Sequence, residues 1–171
     1  YLASFIGAHM PHYRSDVRVR LLDAANASGR DDVLVNLGDE WHFNKVVYKE
    51  QIQRDKLAES EKVALAEATQ RYNEVLSESV FSLCPEGAGP NTLRLWESLA
   101  VGSIPVVMAK GWIPPRTGFD VPGLEDCALL VNDPPNAALF QSLASMPRPK
   151  LMAMQQAAIS IYKKFRARKT F

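Results

Sequence analysis

Short apolar runs alternate with longer amphipathic stretches along the whole chain. Residues 1–8 (YLASFIGA) form the first apolar run, which breaks at Gly7-Ala8 into a turn-rich stretch reaching Ser15. Ser15 or Asp16 can cap a helix over 16–27, with Val17, Leu21, Leu22 and Ala25 on one side and Gly29 ending it. Residues 33–37 read as a second short strand. The stretch 38–59 is polar and yields no element, with Trp41, Phe43, Val46, Val47 and Tyr48 as apolar anchors. A long helix over 60–77 follows, capped by Ser60, with Val63, Tyr72, Val75 and Leu76 as its bulky apolar residues. Then come a strand at 80–84, a glycine loop at 85–90, a helix from Asn91 or Thr92 to Ala100 closed by Gly102, and a strand at 104–108. A Pro/Gly-rich loop over 110–126 leads to a short strand at 128–131, and helices near 136–145 and 149–168 finish the chain.

Strands alternating with helices predict an α/β domain, its parallel sheet covered by helices on both faces. A Rossmann-like, doubly wound sheet is the expected architecture, with ligands beyond the C-terminal ends of the strands. The 171 residues suit one domain, 1–171, with one real core. A formal net charge of +1 leaves no strong footprint for nucleic acid or a membrane surface. A phosphate pocket needs only a few local cations and is compatible with that balance. No apolar run approaches the roughly 20 residues that span a bilayer. The opening lacks the basic region and cleavage site of a signal peptide, and a start directly on a strand suggests a piece beginning at a domain boundary. Cys84 and Cys127 are too few for a disulfide framework and have no metal-ligand spacing, so both read as small buried hydrophobes. Asn26-Ala27-Ser28 is a formal glycosylation sequon of a kind that arises by chance.

The stretch 79–108, SVFSLCPEGAGPNTLRLWESLAVGSIPVVM, holds the most chemistry: strand, glycine loop, helix, strand. A diphosphate needs backbone N–H donors that approach closely, and positive charge. Gly87 and Gly89 remove the Cβ atoms that would block that approach. The free N–H groups at Thr92 and beyond point toward the loop, and the helix dipole adds about half a positive charge there. Thr92 can donate its hydroxyl, and Arg94 can offer its planar fork. Glu97 is three residues on and shares that face, where a carboxylate can accept from two ribose hydroxyls. Leu93, Trp96, Leu99 and Ala100 are assigned to the buried side. The plainer alternative is an ordinary strand–loop–helix with a local Arg94–Glu97 pair, stabilising by about 0.2–0.5 kcal/mol. The loop is neither a P-loop nor a full GxGxxG.

Tyr72, Leu76, Ser79, Phe81, Leu83, Pro85 and Gly87, then Thr92, Arg94, Glu97, Ser98, Gly102, Ile104, Pro105 and Val106, resemble in order the motif line of the exostosins, glycosyltransferases of the GT47 type. Lys110-Gly111-Trp112-Ile113-Pro114-Pro115 is similar to that family's N-G-W-x-x-P loop. Ser4-Phe5-Ile6-Gly7 and Ser15-Asp16-Val17-Arg18 resemble its S-F-x-G and S-D-x-R elements. The resemblance thus covers nearly the whole chain. It implies the C-terminal, nucleotide-sugar-binding half of a two-domain GT-B glycosyltransferase. The implied donor is a UDP-sugar, the implied transfer is inverting, and no essential metal or other cofactor is expected. Arg18 and Arg94 would contact the diphosphate and Glu97 the ribose, and Gly7 would let the first strand's end approach the ligand. The partners would be a nucleotide sugar, a glycan acceptor, and an N-terminal acceptor domain or partner subunit that often supplies the general base.

Exostosins often have arginine where this chain has Glu86. An acid near a diphosphate is repulsive, so Glu86 is expected to point away or to contact the sugar. His9 and His12 follow the first strand, near the expected ligand edge, and either can touch a phosphate or a sugar hydroxyl. Trp112 can stack on the base or sugar, or anchor its loop in the core. His42 reads as a loop residue. Asp39-Glu40 reads as solvated charge or an acid–base pair. Lys163, Lys164, Arg166, Arg168 and Lys169 read as a favourable helix C-terminus or a contact for anionic lipid. Two rival functions stand beside the transferase: a non-catalytic nucleotide-sugar-binding or scaffold subunit, and another nucleotide-binding α/β protein such as a dehydrogenase. The lack of GxGxxG after the first strand speaks against the latter. The missing leader points to the cytoplasm, whereas the resemblance points to the Golgi lumen for a eukaryotic source.

Overall fold

The computed structural model describes residues 1–38, 58–114 and 123–167. Asp39, Glu40, His42, the apolar anchors of 41–48, Arg168 and Lys169 lie outside the described residues. Five strands form one parallel sheet: β1 (Ala3–Ala8), β2 (Val33–Gly38), β3 (Phe81–Pro85), β4 (Ile104–Met108) and β5 (Leu129–Leu130). Their order is β2-β1-β3-β4-β5. The helices are α1 (Val17–Ser28), α2 (Glu59–Ser77), α3 (Leu93–Val101), α4 (Ala137–Ala144) and α5 (Arg148–Ala167). The expected Rossmann-like α/β architecture is present. From β1 the chain steps one way to β2, and through β3 to β5 it steps the other way, so the switch lies between β1 and β3.

β3 and β4 are buried at every position, because helices cover both faces. Their side chains alternate between two apolar layers. Phe81, Leu83, Ile104, Val106 and Met108 meet Phe5, Leu21, Ala24 and Phe140 on one face. Cys84 and Val107 meet Leu95, Leu99, Ala158 and Ile161 on the other. Both cysteines are free and buried. Among the described residues, no helix is long and apolar enough to cross a membrane.

Three local expectations need correction. α2 starts with Ala58 as its N-cap rather than Ser60, because the Glu61 carboxylate accepts the Ala58 N–H at 3.1 Å. Val63 on that helix is half exposed. On α3 the buried face is Leu95, Ser98 and Leu99, whereas Leu93 and Ala100 are exposed. The serine belongs there because its hydroxyl donates to the Arg94 carbonyl one turn back, leaving no polar atom unsatisfied. Gly102 ends α3 in the left-handed region at φ 75°, its N–H donating to the Ser98 carbonyl.

Candidate functional site

The site starts with a gap in the sheet. β1 pairs with β2 along its whole length but with β3 only at Ala3↔Phe81 and Ser4↔Ser82. Proline limits how far the ladder could run. The Leu2 carbonyl accepts the Phe81 N–H at 3.0 Å. Continued by four residues, the same stagger sets the Ile6 carbonyl against Pro85, which has no N–H. The pairing has already ended before that height, at Ser4↔Ser82, so the strands are parted toward their C-terminal ends at the switch point. A cleft of about 550 Å³ opens between them, lined by Phe5 to Ala8, Met10, His12, Tyr13, Arg18, Tyr72, Gly87 to Gly89, Asn91 to Arg94, and Glu97.

Two arginines occupy the carbonyls left over by the parted strands. Arg94 donates to the Ile6 carbonyl. Arg18 reaches from α1 and donates to the carbonyls of Ala8, Glu86 (3.0 Å) and Pro85 (3.5 Å). Aromatic rings flank both guanidiniums. Arg18 lies 4.6 Å from the Tyr13 ring centroid and 5.3 Å from that of Phe5, and Arg94 lies 4.5 Å from Phe5 and 5.0 Å from Tyr72. Among the described residues, neither guanidinium has a carboxylate within salt-bridge distance. Burial is the main cause that lowers the Arg18 pKa; Tyr13 opposes it and the like charge of Arg94 adds to it. An arginine stays protonated at neutral pH regardless. Among the described residues, the cleft therefore presents two positive charges held by carbonyls and rings rather than by direct ion pairs.

The other predicted residues fall around these cations in different ways. Thr92 is the N-cap of α3 and lines the cleft; its side chain makes no capping bond. Gly87 is buried, and a Cβ added there would stand 2.8 Å from an Arg18 nitrogen and 3.6 Å from the Tyr13 ring. Gly89 has open space at the same test, so close packing distinguishes the two glycines. Gly7 lines the cleft, and a Cβ there would meet the Phe5 ring at 2.7 Å. Glu97 also lines the cleft, but it does not pair with Arg94. Its Oε2 accepts the Tyr72 hydroxyl instead.

His9, Glu86 and Trp112, expected at the edge, lie outside the cleft lining. Glu86 is only 6% exposed and does not line the cleft, while its backbone carbonyl serves Arg18. Trp112 packs against the core layer of Leu95 and Leu99 and lines a separate hollow of about 300 Å³ with Asn91, Thr92, Leu95, Trp96 and Ile113. His9 stands edge-on to Tyr13, with ring centroids 5.8 Å apart. His12 does line the cleft, and it too is edge-on to Tyr13, at 5.1 Å. Sequence reasoning misses the aromatic supports Phe5, Tyr13 and Tyr72. Tyr72 is visible as a motif position, but periodicity assigns it only to the apolar side of its helix.

Residues 1–120 match the Exostosin GT47 domain. Among curated proteins, the chain is similar to the "Exostosin-1 homolog" of Caenorhabditis elegans, at 28% identity over 91 residues. That stretch is 53% of this chain and 23% of the relative, so the similarity spans about a quarter of the relative's length. The family match takes in β1 through β4 and every residue that lines the cleft, and the chain belongs to the exostosin GT47 family.

Proposed function

We propose that the cleft is the donor site of a glycosyltransferase, holding a nucleotide sugar by its diphosphate and ribose. The observation that carries this reading is the pair Arg18 and Arg94, fixed by backbone carbonyls rather than by carboxylates beside the N-terminus of α3. Two uncompensated cations and free helix N–H groups form a polar environment organised for an anion. Glu97, beside them, suits the hydroxyls of a ribose.

The reaction proposed is inverting transfer from a UDP-sugar to a hydroxyl of a glycan or polysaccharide. The acceptor oxygen forms a bond to the anomeric carbon as the bond from that carbon to the diphosphate breaks. UDP leaves with the electron pair, and the acceptor proton passes to a general base. Arg18, Arg94 and the N–H groups of α3 stabilise the charge that grows on the departing diphosphate, the part often played by a metal. In this reading the chain is the C-terminal half of a GT-B enzyme, and a facing N-terminal half supplies the acceptor site and the base. The family's Golgi setting is part of the same proposal.

Calorimetric titration of UDP into wild type and Arg94→Ala tests it. A charge-assisted hydrogen bond is worth about 1.5–3 kcal/mol, so the variant should bind roughly ten- to hundred-fold more weakly. Equal affinity for UDP in the two proteins, or none in either at millimolar ligand, would refute the donor-site reading.

A further inference from the structure

Arg94 and Glu97 are three residues apart on one face of α3, a spacing at which opposite charges ordinarily meet. Here they stay apart. Tyr72, from α2, is 6% exposed and stands at both groups: its ring faces the Arg94 guanidinium, centroid to carbon 5.0 Å, and its hydroxyl donates to Glu97 Oε2. Arg94 is held from the other side by the Phe5 ring and the Ile6 carbonyl. Burial raises the Tyr72 pKa above the ordinary tyrosine value, opposed by the charge of Arg94 and helped by the Glu97 hydrogen bond, so at neutral pH the hydroxyl keeps its proton and remains a donor. Glu97 Oε2 is thereby engaged, and Oε1 remains as an acceptor in a residue that lines the cleft.

We infer that Tyr72 is a positioning residue of the donor site: it separates Arg94 from Glu97, leaving the cation for phosphate and one carboxylate oxygen for a hydroxyl donor such as a ribose. The inference rests on the donor-site reading for the identity of the ligand, but not for the geometry. Without the Tyr72 hydroxyl, Glu97 has no tether and Arg94 is the cation at pairing distance along the helix. Collapse of the two into a pair would weaken recognition of phosphate and of ribose together. Tyr72 would thus set specificity without itself touching the diphosphate.

The test is a double-mutant cycle, Tyr72→Phe and Glu97→Gln, read with UDP and with inorganic pyrophosphate, alongside ligand-free crystal structures. Tyr72→Phe removes one oxygen and keeps the ring against Arg94, and thermal unfolding checks that the fold survives. With Glu97 present, Tyr72→Phe should weaken UDP by about tenfold and pyrophosphate by a smaller factor. In the Glu97→Gln background the same change should cost less than about twofold for either ligand, because no carboxylate remains to capture Arg94. In the ligand-free Tyr72→Phe structure, Glu97 should lie within salt-bridge distance of Arg94. Equal effects in both backgrounds, or an unmoved Glu97, would overturn the positioning role. If wild type binds neither ligand, the donor-site reading falls, and the Tyr72→Phe structure still decides whether Tyr72 keeps the two charges apart.

Discussion

Gly87 and Gly89 look equivalent in the sequence, yet an added methyl group should affect them very differently. At Gly87 a Cβ would sit 2.8 Å from Arg18 Nη2, closer than non-bonded atoms tolerate. The guanidinium has little freedom to retreat, because three carbonyls and two aromatic rings hold it. Gly87→Ala should therefore push Arg18 off its acceptors. Losing one charge-assisted contact to a diphosphate costs about 1.5–3 kcal/mol, a weakening of UDP binding by roughly ten- to hundred-fold. At Gly89 nothing lies within 4 Å of the added atom and the backbone is not left-handed. Gly89→Ala should bind UDP like wild type and unfold at the same temperature or slightly higher, by the entropy an alanine removes from the unfolded chain, about 0.4–1 kcal/mol. Parallel calorimetry and thermal unfolding of the two variants give the comparison. Equal loss at both positions would show that the loop acts through flexibility, and an intact Gly87→Ala would show that the position of Arg18 does not matter to the ligand.

Pro85→Ala supplies the N–H that the Ile6 carbonyl lacks, so it should extend the β1–β3 ladder, compete with Arg94 and weaken UDP by about tenfold; a slowly exchanging amide at position 85 of the variant would mark the new bond, and unchanged affinity would contradict the account. Gly102→Ala forces a left-handed alanine at φ 75° whose Cβ meets Ile159 at 3.0 Å, and should destabilise by about 1–2 kcal/mol in denaturant unfolding without changing m. Leu99→Ala, at a fully buried position, should cost about 2–5 kcal/mol, while Leu93→Ala, 71% exposed, should cost almost nothing. Burial raises Cys84 to about 11 and Cys127 to about 12, so the native state holds their protons longer than the unfolded chain does. Stability should then fall as pH climbs from about 9 through those values, and a thiol reagent at neutral pH should label both residues only on unfolding.

The alternation of strands and helices was legible because each strand is a short apolar run bounded by turn residues, and the sheet order follows from the way such units pack. The face of α3 is harder to read. An apolar count favours Leu93 over Ser98, but Leu93 is in the first turn beside an open cleft, while Ser98 satisfies its hydroxyl on its own helix and is fully buried. The start of α2 escapes for a related reason: a capping search looks for a hydroxyl at the N-cap, whereas here the Glu61 carboxylate meets the Ala58 N–H. Arg18, Arg94, Thr92, Glu97 and Gly87 could be named as candidates from their motifs. That Phe5 and Tyr13 hold Arg18, that Phe5 also holds Arg94, and that Tyr72 contacts both Arg94 and Glu97 could not, because most of those contacts join different elements, up to 89 positions apart for Phe5 and Arg94.

One covalent feature links the sheet to the charge in the cleft. An N–H at residue 85 would be a backbone competitor for the Ile6 carbonyl, and a guanidinium displaced from it would need another acceptor. Carboxylates are the usual alternative, and each would cancel the charge that it positions. A carbonyl orients an arginine through a dipole and leaves its unit charge intact. Proline therefore offers the Ile6 carbonyl no ladder donor, and Arg94 is fixed on that acceptor without being neutralised by it. This arrangement also explains why a net charge of +1 hides an electropositive site. The charge is local and set by geometry: two arginines are withheld from the acids around them, and the remaining charges balance elsewhere on the chain.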